Sequence, residues 1–328
     1  MILVTGGAGF IGSNLVAALE ARGQGDIVVC DIFGDGDKWR NLAKRELAGI
    51  ISPEGLFPFL DANAGKIDAV FHMGAISATT ERDVDLVVAS NFTLSQRLWD
   101  WCTAHQARLI YASSAATYGD GSAGFDDDNA PVALAKLRTL NAYGWSKHMF
   151  DRRVARLAAS NAPRPKQWAG LKFFNVYGPN EYHKGAMKSV VAHIFPRALA
   201  GEAARLFKSH NPAYPDGGQK RDFVYVDDCV AMMLWLYDHP GVNGIFNSGS
   251  GKARSFADLA AAVFRALGKE PKIEFIDTPA EIRDKYQYFT EAKMARLRAA
   301  GYGRPSTELE AGVKHYVQTY LTGPDPYR

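Results

Sequence analysis

The sequence predicts an α/β protein built on a doubly wound parallel sheet, with a smaller, discontinuous α/β substrate-binding unit beside it. Three observations predict this. Short apolar runs alternate with helix-period stripes through the first half of the 328 residues. A glycine triplet stands between the first such run and the first stripe. The composition, 47% hydrophobic and 22% charged, supplies a sizeable core.

The elements follow in order. Residues 1–5, 27–31, 69–72, 108–113 and 170–174 read as buried strands, and residues 10–21, 83–105 and 143–159 as helices. Continuous apolar strands separated by helices argue for a parallel sheet covered on both faces. After Gly178-Pro179 the pattern loosens. A loop over 209–220 separates a helix near 187–200 from short strands near 205–207, 223–226 and 272–275. Helices near 227–237, 256–267 and 307–320 complete the chain. Residues 223–226 and 244–247 are expected to return to the main sheet. The division is therefore a dinucleotide-binding domain over 1–175, rejoined by about 220–250, and a mainly substrate-binding domain over 176–328.

A formal charge of +3 gives no argument for nucleic acid or membrane as a partner. Cys30, Cys102 and Cys229 lack C-x-x-C spacing and read as reduced, buried thiols. The eight histidines show no H-x-x-x-H pair with an adjacent acid, so no metal is expected. The first strand begins at Met1, which leads us to expect no signal peptide. No apolar run nears the ~18 residues of a membrane span, so the expected location is cytoplasmic.

Gly6, Gly9 and Gly12 space a turn between strand and helix. Gly6 permits the tight turn, Gly9 lets backbone approach a pyrophosphate, and Gly12 allows close helix–strand packing. The first helical turn, Phe10, Ile11 and Gly12, then offers N–H donors to phosphates. Asp31 ends the second strand, where a carboxylate accepts from adenosine ribose hydroxyls. An acid there usually disfavours a 2′-phosphate, while the nearby Lys38 and Arg40 could neutralise one. The alternative is a solvated charged loop. Met73, Gly74 and Ala75 offer backbone near the far ribose, and His72 reads as structural.

Tyr143 and Lys147 lie four residues apart, on one face of a helix. At ~4 Å and an effective dielectric of ~20 the cation would favour phenolate by ~4 kcal/mol. A phenol so perturbed approaches the working pH of a general base. Ser114 ends another strand, facing the ligand crevice, where its hydroxyl can hold a substrate oxygen. Nothing nearby suggests a Ser-His-Asp triad.

Together these residues resemble the extended short-chain dehydrogenase/reductases of the nucleotide-sugar branch, over nearly the whole chain. Phe174-Asn-Val-Tyr-Gly-Pro179 and Arg221-Asp-Phe-Val-Tyr-Val-Asp-Asp228 resemble that branch's substrate-side motifs. Ala115 and Ala116 stand where its dehydratases carry Asp-Glu, which argues against dehydration. Ser77-Ala-Thr-Thr-Glu81, residues 111–119, Glu181-Tyr-His-Lys-Gly185 and Tyr286-Gln-Tyr-Phe-Thr290 closely resemble the ADP-L-glycero-D-manno-heptose 6-epimerases of lipopolysaccharide core synthesis. That resemblance implies retained NADP, favoured over NAD, and Lys184 as a second acid/base beside Tyr143. It implies cofactor contacts from Ile32, Lys38, Ser77, Asn91, Val176 and Lys184. It also implies an ADP-heptose site lined by Ser114, Asn175, Ala186, His193, Phe207, Lys208, Ser209, His210, Arg221 and Tyr286. Homo-oligomers are usual in the family. The chain departs at Pro53, where the family often has lysine, and at Ala186, where it has serine; residues 121–139 and 210–220 are longer than expected. A UDP-hexose 4-epimerase is the nearest competing reading, and an NADP-binding sensor without chemistry is the competitor from another class.

Overall fold

A computed structural model describes residues 1–279, 283 and 287–328. Its centre is a seven-stranded, wholly parallel sheet. The strands are β1 (Ile2–Thr5), β2 (Ile27–Cys30), β3 (Gly49–Ile51), β4 (Ala69–His72), β5 (Arg108–Ser114), β6 (Gln167–Phe173) and β10 (Gly244–Ser248), in the order β10-β6-β5-β4-β1-β2-β3. Five of these are buried along almost their whole length on both faces, which explains their unbroken Val/Ile/Leu/Phe runs. The strand order reverses direction between β1 and β4. A crevice therefore opens beyond the carboxyl ends of those two strands, where ligands of doubly wound sheets bind.

The sequence expectation and the structure differ in instructive places. The edge strand β3 escaped the sequence reading because its three residues, Gly-Ile-Ile, are too few to show a strand pattern. The helix expected over 83–105 is interrupted: Val84–Val87 and Leu94–Ala104 flank a wider turn, Val88–Thr93. Asn91 explains the distortion. Its buried amide bridges the Ile76 backbone and the Ser146 hydroxyl, at 2.9–3.0 Å. Of the two segments expected to rejoin the main sheet, Gly244–Ser248 does so beside β6. The other, β9 (Lys220–Tyr225), instead sits between β7 (Asn175–Tyr177) and β11 (Ala253–Ser255) in a separate three-stranded sheet. A further pair, β8 (Ala204–Phe207) and β12 (Ile273–Ile276), completes the smaller unit.

Two cores result. Under the helix Ala142–Ala159, Trp99 packs edge-on to Phe150 and Trp168, with ring centroids 6.5 and 5.7 Å apart. Truncating Trp99, 1% exposed, to alanine would cost about 3–5 kcal/mol. The smaller core gathers Val191, Ile194, Leu259, Val263, Val313 and Tyr316, and takes in Phe10 from the first helix. The amino end of that helix therefore sits where the two cores meet.

Candidate active site

The helix Phe10–Ala21 starts without a side-chain cap, Gly9 being its N-cap. Its first intrahelical bond runs from Ser13 N to Gly9 O at 3.0 Å, so the N–H groups before it are free to meet an anion. Glycine is required here. Gly6 has φ +66°, and a Cβ on it would lie 2.5 Å from Gly74 Cα; a Cβ on Gly12 would lie 2.1 Å from the Gly6 oxygen. Asp31 follows β2. Its Oδ2 accepts from Ala8 N at 2.8 Å and its Oδ1 from Lys38 Nζ at 2.5 Å, while Lys38 also donates to Ile32 O at 2.9 Å. Arg40 instead lies over the Tyr327 ring, 4.6 Å from its centroid.

These groups line one cavity of about 300 Å³ running from the glycine loop to the ends of β4 and β5. Gly6, Gly9, Phe10, Ile11, Gly12, Asp31, Lys38, Met73, Gly74, Ala75 and Ser77 form its long wall. Ser114, Tyr143, Lys147, Val176 and Lys184 line the cavity as well. Two residues expected at the cofactor stand outside it. Ile32 is 66% exposed, and Asn91 is buried in the contacts that bend its helix. His72 is likewise internal, bonded to Thr5 Oγ1 at 2.7 Å and Ser95 Oγ at 2.9 Å. Burial pushes its pKa down to about 3, with Lys147 adding to the effect.

Asn141 caps the helix Ala142–Ala159 by accepting from Gly144 N at 2.8 Å, which points Tyr143 and Lys147 into the cavity. Lys147 is 3% exposed and donates to the Ala112 carbonyl at 2.9 Å. Burial brings its pKa down to about 8, against the pull of Asp151. The expectation that Lys147 lowers the Tyr143 phenol needs correction. Burial holds that phenol above its ordinary value, Asp151 adds to the rise, and the hydrogen bond with Ser114 opposes it. The Lys147 ammonium gives one of its three donors to the Ala112 carbonyl, which leaves two for a ligand.

Lys184 sits on the single-turn segment Tyr182–Met187, anchored by Glu181. The buried Glu181 carboxylate accepts from both the Ser189 backbone N–H and its hydroxyl, the latter at 2.7 Å. Burial lowers the Lys184 ammonium, Glu181 opposing, and Nζ lies 5.4 Å from the Phe10 ring centroid. Lys184, Phe174 and Val176 also line a second cavity, of about 520 Å³, in the smaller unit. Asn175, Ala186, Phe207 and Arg221 line it too. Arg221 is 9% exposed and donates to Lys220 O at 2.9 Å. Lys208, Ser209 and His210 lie outside this lining. Lys208 pairs with Asp277 at 3.1 Å, Ser209 turns onto Asn211 and Asp216, and His210 N donates to Tyr288. His193 is exposed, with Nε2 3.1 Å from Ala186 O. Tyr286 lies outside the described residues. Among the described residues, no group of three or more His, Cys, Asp or Glu could hold a metal ion, and no helix is long and apolar enough to cross a membrane.

The profile of the NAD dependent epimerase/dehydratase family matches residues 2–249. The chain belongs to that family. Among its relatives are the ADP-L-glycero-D-manno-heptose-6-epimerases of Nitratidesulfovibrio vulgaris (strain DP4), 50% identical over the whole of both chains, and of Fusobacterium nucleatum, 47% identical over the whole of both. The solved Helicobacter pylori ADP-L-glycero-D-manno-heptose-6-epimerase is 29% identical with a TM-score of 0.78, covering 97% of this chain and 95% of that one. The Thermus thermophilus UDP-glucose 4-epimerase, solved with NAD, is 26% identical with a TM-score of 0.74, covering 97% of each.

As an NAD dependent epimerase/dehydratase family member the chain takes a nicotinamide cofactor. The cleft fits one: its free helix N–H groups suit a pyrophosphate, and Asp31 stands where a ribose would lie. The sequence reading missed several lining residues. Ala112, Ser113, Phe173, Phe174 and His183 face the first cavity; Arg205, Gln219, Phe223, Phe256 and Leu259 are among those facing the second. Phe173 read only as a strand residue, Phe174 stood at the head of a substrate-side motif without a role of its own, and nothing in the pattern marked Gln219. His183 stood one residue from Lys184, and that adjacency was the available signal.

Proposed function

We propose that the protein inverts C6 of ADP-D-glycero-D-manno-heptose, giving the L-glycero epimer for lipopolysaccharide core synthesis, with NADP retained through turnover. The observation that carries this reading is the placement of Lys184. It is one of three residues shared by the two cavities, lining the first together with Ser114, Tyr143 and Lys147 and the second together with Arg221. In this reading Lys184 serves as a second base, beside Tyr143, for the same sugar.

A nicotinamide dinucleotide held by the Gly6–Gly12 loop and Asp31 would supply the hydride chemistry, oxidation of the alcohol carbon and reduction of the ketone from its other face. The chain's own residues manage the protons. Ser114 donates to the sugar oxygen, and Tyr143 removes or restores the proton of one epimer's hydroxyl. Lys147, already cationic and close to Ala112, favours the phenolate once a ribose hydroxyl draws it toward the ligand. Lys184 serves the other epimer; its lowered pKa makes it a better proton acceptor near neutrality than an exposed lysine. In the second cavity Arg221 meets the diphosphate, and Phe207, Phe223 and Phe256 supply apolar walls for the nucleoside. For the dinucleotide, Lys38 neutralises Asp31 and so lifts the repulsion an acid would exert on a 2′-phosphate. This supports NADP over NAD.

Incubation of the purified protein with ADP-D-glycero-D-manno-heptose, with UDP-galactose in a parallel reaction, tests the proposal. Conversion of the heptose and loss of at least about a hundredfold in kcat for Tyr143→Phe are expected. Turnover of the uridine sugar alone would overturn it. Full heptose conversion by Tyr143→Phe would remove the assigned base.

A further inference from the structure

Behind the cavity lies a buried ion pair that neither cavity touches. Tyr143, Lys147 and Asp151 recur every four residues along the helix Ala142–Ala159 and so share the face turned to the sheet. Asp151 is 0% exposed. It accepts from Tyr111 OH at 3.0 Å and Ser113 Oγ at 2.6 Å, and its carboxylate lies 3.6 Å from Lys172 Nζ. Lys172, on β6, is also 0% exposed. It donates to Thr117 Oγ1 at 2.8 Å and stands 4.3 Å from the centre of the Tyr118 ring. Thr117 Oγ1 in turn donates to the Ser114 carbonyl at 2.7 Å.

Two features make this more than packing. A buried ion pair is a poor stability device, because desolvation offsets its attraction and apolar replacements are often neutral or better. Its hydrogen bonds also end at the serine. Asp151 holds the side chain of Ser113, and Lys172 reaches the Ser114 carbonyl through Thr117. We propose that Asp151 and Lys172 form a positioning pair that sets the charge balance at Tyr143 and Lys147 while fixing the backbone around Ser114. This inference rests on the roles given to those three residues under the proposed function.

The charges around the pair come from every neighbouring element. Lys147 and His148 face it from the helix, Tyr111 from β5, Tyr118 from the following turn, and Asp127 acts on Lys172 and Tyr118 from the loop beyond. His72 on β4 faces Lys147 from the other side. Burial pushes the Asp151 carboxyl up, and Lys172 with the Ser113 and Tyr111 hydroxyls opposes it. Burial lowers Lys172, and Asp151 opposes that. Ionised Asp151 then acts on both catalytic groups in one sense, holding Lys147 protonated and resisting phenolate at Tyr143.

The test is the pH profile of kcat/KM of the holoenzyme. Asp151→Asn keeps the shape and removes the charge, so both limbs move to lower pH by about one unit or more. Lys172→Met leaves the carboxylate uncompensated and moves both limbs upward. KM for the sugar nucleotide stays within about twofold in each, since neither residue lines a cavity. A bell that stays in place in whichever variant folds, with only its height reduced, overturns the proposal, as does movement of both variants in one direction. The wild-type profile on ADP-heptose is recorded first. Absence of turnover there indicts the proposed function itself, whereas an unmoved bell in an active enzyme indicts only the pair.

Discussion

Replacing Gly12 by alanine puts the geometry of the cofactor cleft on trial. The new Cβ would stand 2.1 Å from the Gly6 oxygen and 3.0 Å from Gly7 Cα. Ordinary contact needs about 3.5 Å, so the helix must retreat by more than about 1 Å. Both obstructing groups are backbone, and the loop is tied down by bonds from Gly6 N to Cys30 O at 2.8 Å and from Gly9 N to Gly6 O at 3.0 Å. No side-chain rotation relieves the clash. The strain should cost about 1–3 kcal/mol of stability. Retreat also carries the free N–H groups of the first turn out of reach of a pyrophosphate. Losing one or two charge-assisted bonds, about 2–4 kcal/mol, weakens dinucleotide binding by about 30- to 1000-fold. Fluorescence titration of NADPH gives the Kd, and a thermal melt of the same sample gives the stability change. Gly25→Ala is the control, since nothing lies within 4 Å of its added Cβ. A Gly12→Ala Kd within about threefold of wild type, with Tm unchanged, would refute the reasoning.

Other outcomes follow from neighbouring groups. Lys184→Met should reduce kcat by about 10²–10⁴ while weakening NADPH binding by no more than about tenfold, and parallel loss of both would make the lysine structural. Lys38→Ala should leave Asp31 uncompensated and shift the NADP/NAD ratio of Kd values toward NAD by about tenfold; an unchanged ratio speaks against a 2′-phosphate near Asp31. His72 is neutral in the fold, its pKa pushed to about 3, below its unfolded value. Its contribution is therefore complete above the unfolded pKa of about 6.5 and is lost as pH falls toward about 3, a matter of a few kcal/mol. Chemical denaturation from about pH 7 down to about pH 4 should show that decline, and His72→Gln should flatten it.

What could be read from the sequence was what is local. Strand–helix alternation is written in neighbouring residues, and so is the glycine spacing; each had one architecture that satisfied it. Pairings between distant segments left no such mark. Residues 223–226 and 244–247 both read as short strands returning to the main sheet, yet the first overlaps the strand that joins Asn175–Tyr177 and the second belongs to the one that joins Gln167–Phe173. The site shows the same division. The first-turn donors and Tyr143 sit in recognisable runs, whereas Asp151 and Lys172 look like surface charges until the sheet buries them together. The phenol went astray for a related reason. Four-residue spacing brings Tyr143 and Lys147 together but gives no sight of the burial, or of Asp151, that holds the phenol up.

The position of Gly244–Ser248 has a practical consequence. A fragment ending at residue 175 would look like a self-sufficient nucleotide-binding module, yet its outermost strand would be the seven-residue Gln167–Phe173, apolar and stripped of its neighbour. Such a raw border recruits whatever chain can hydrogen-bond to it. Cutting the molecule there should yield aggregates, and a soluble minimal version must be a permutant or deletion that keeps residues 244–248 in place.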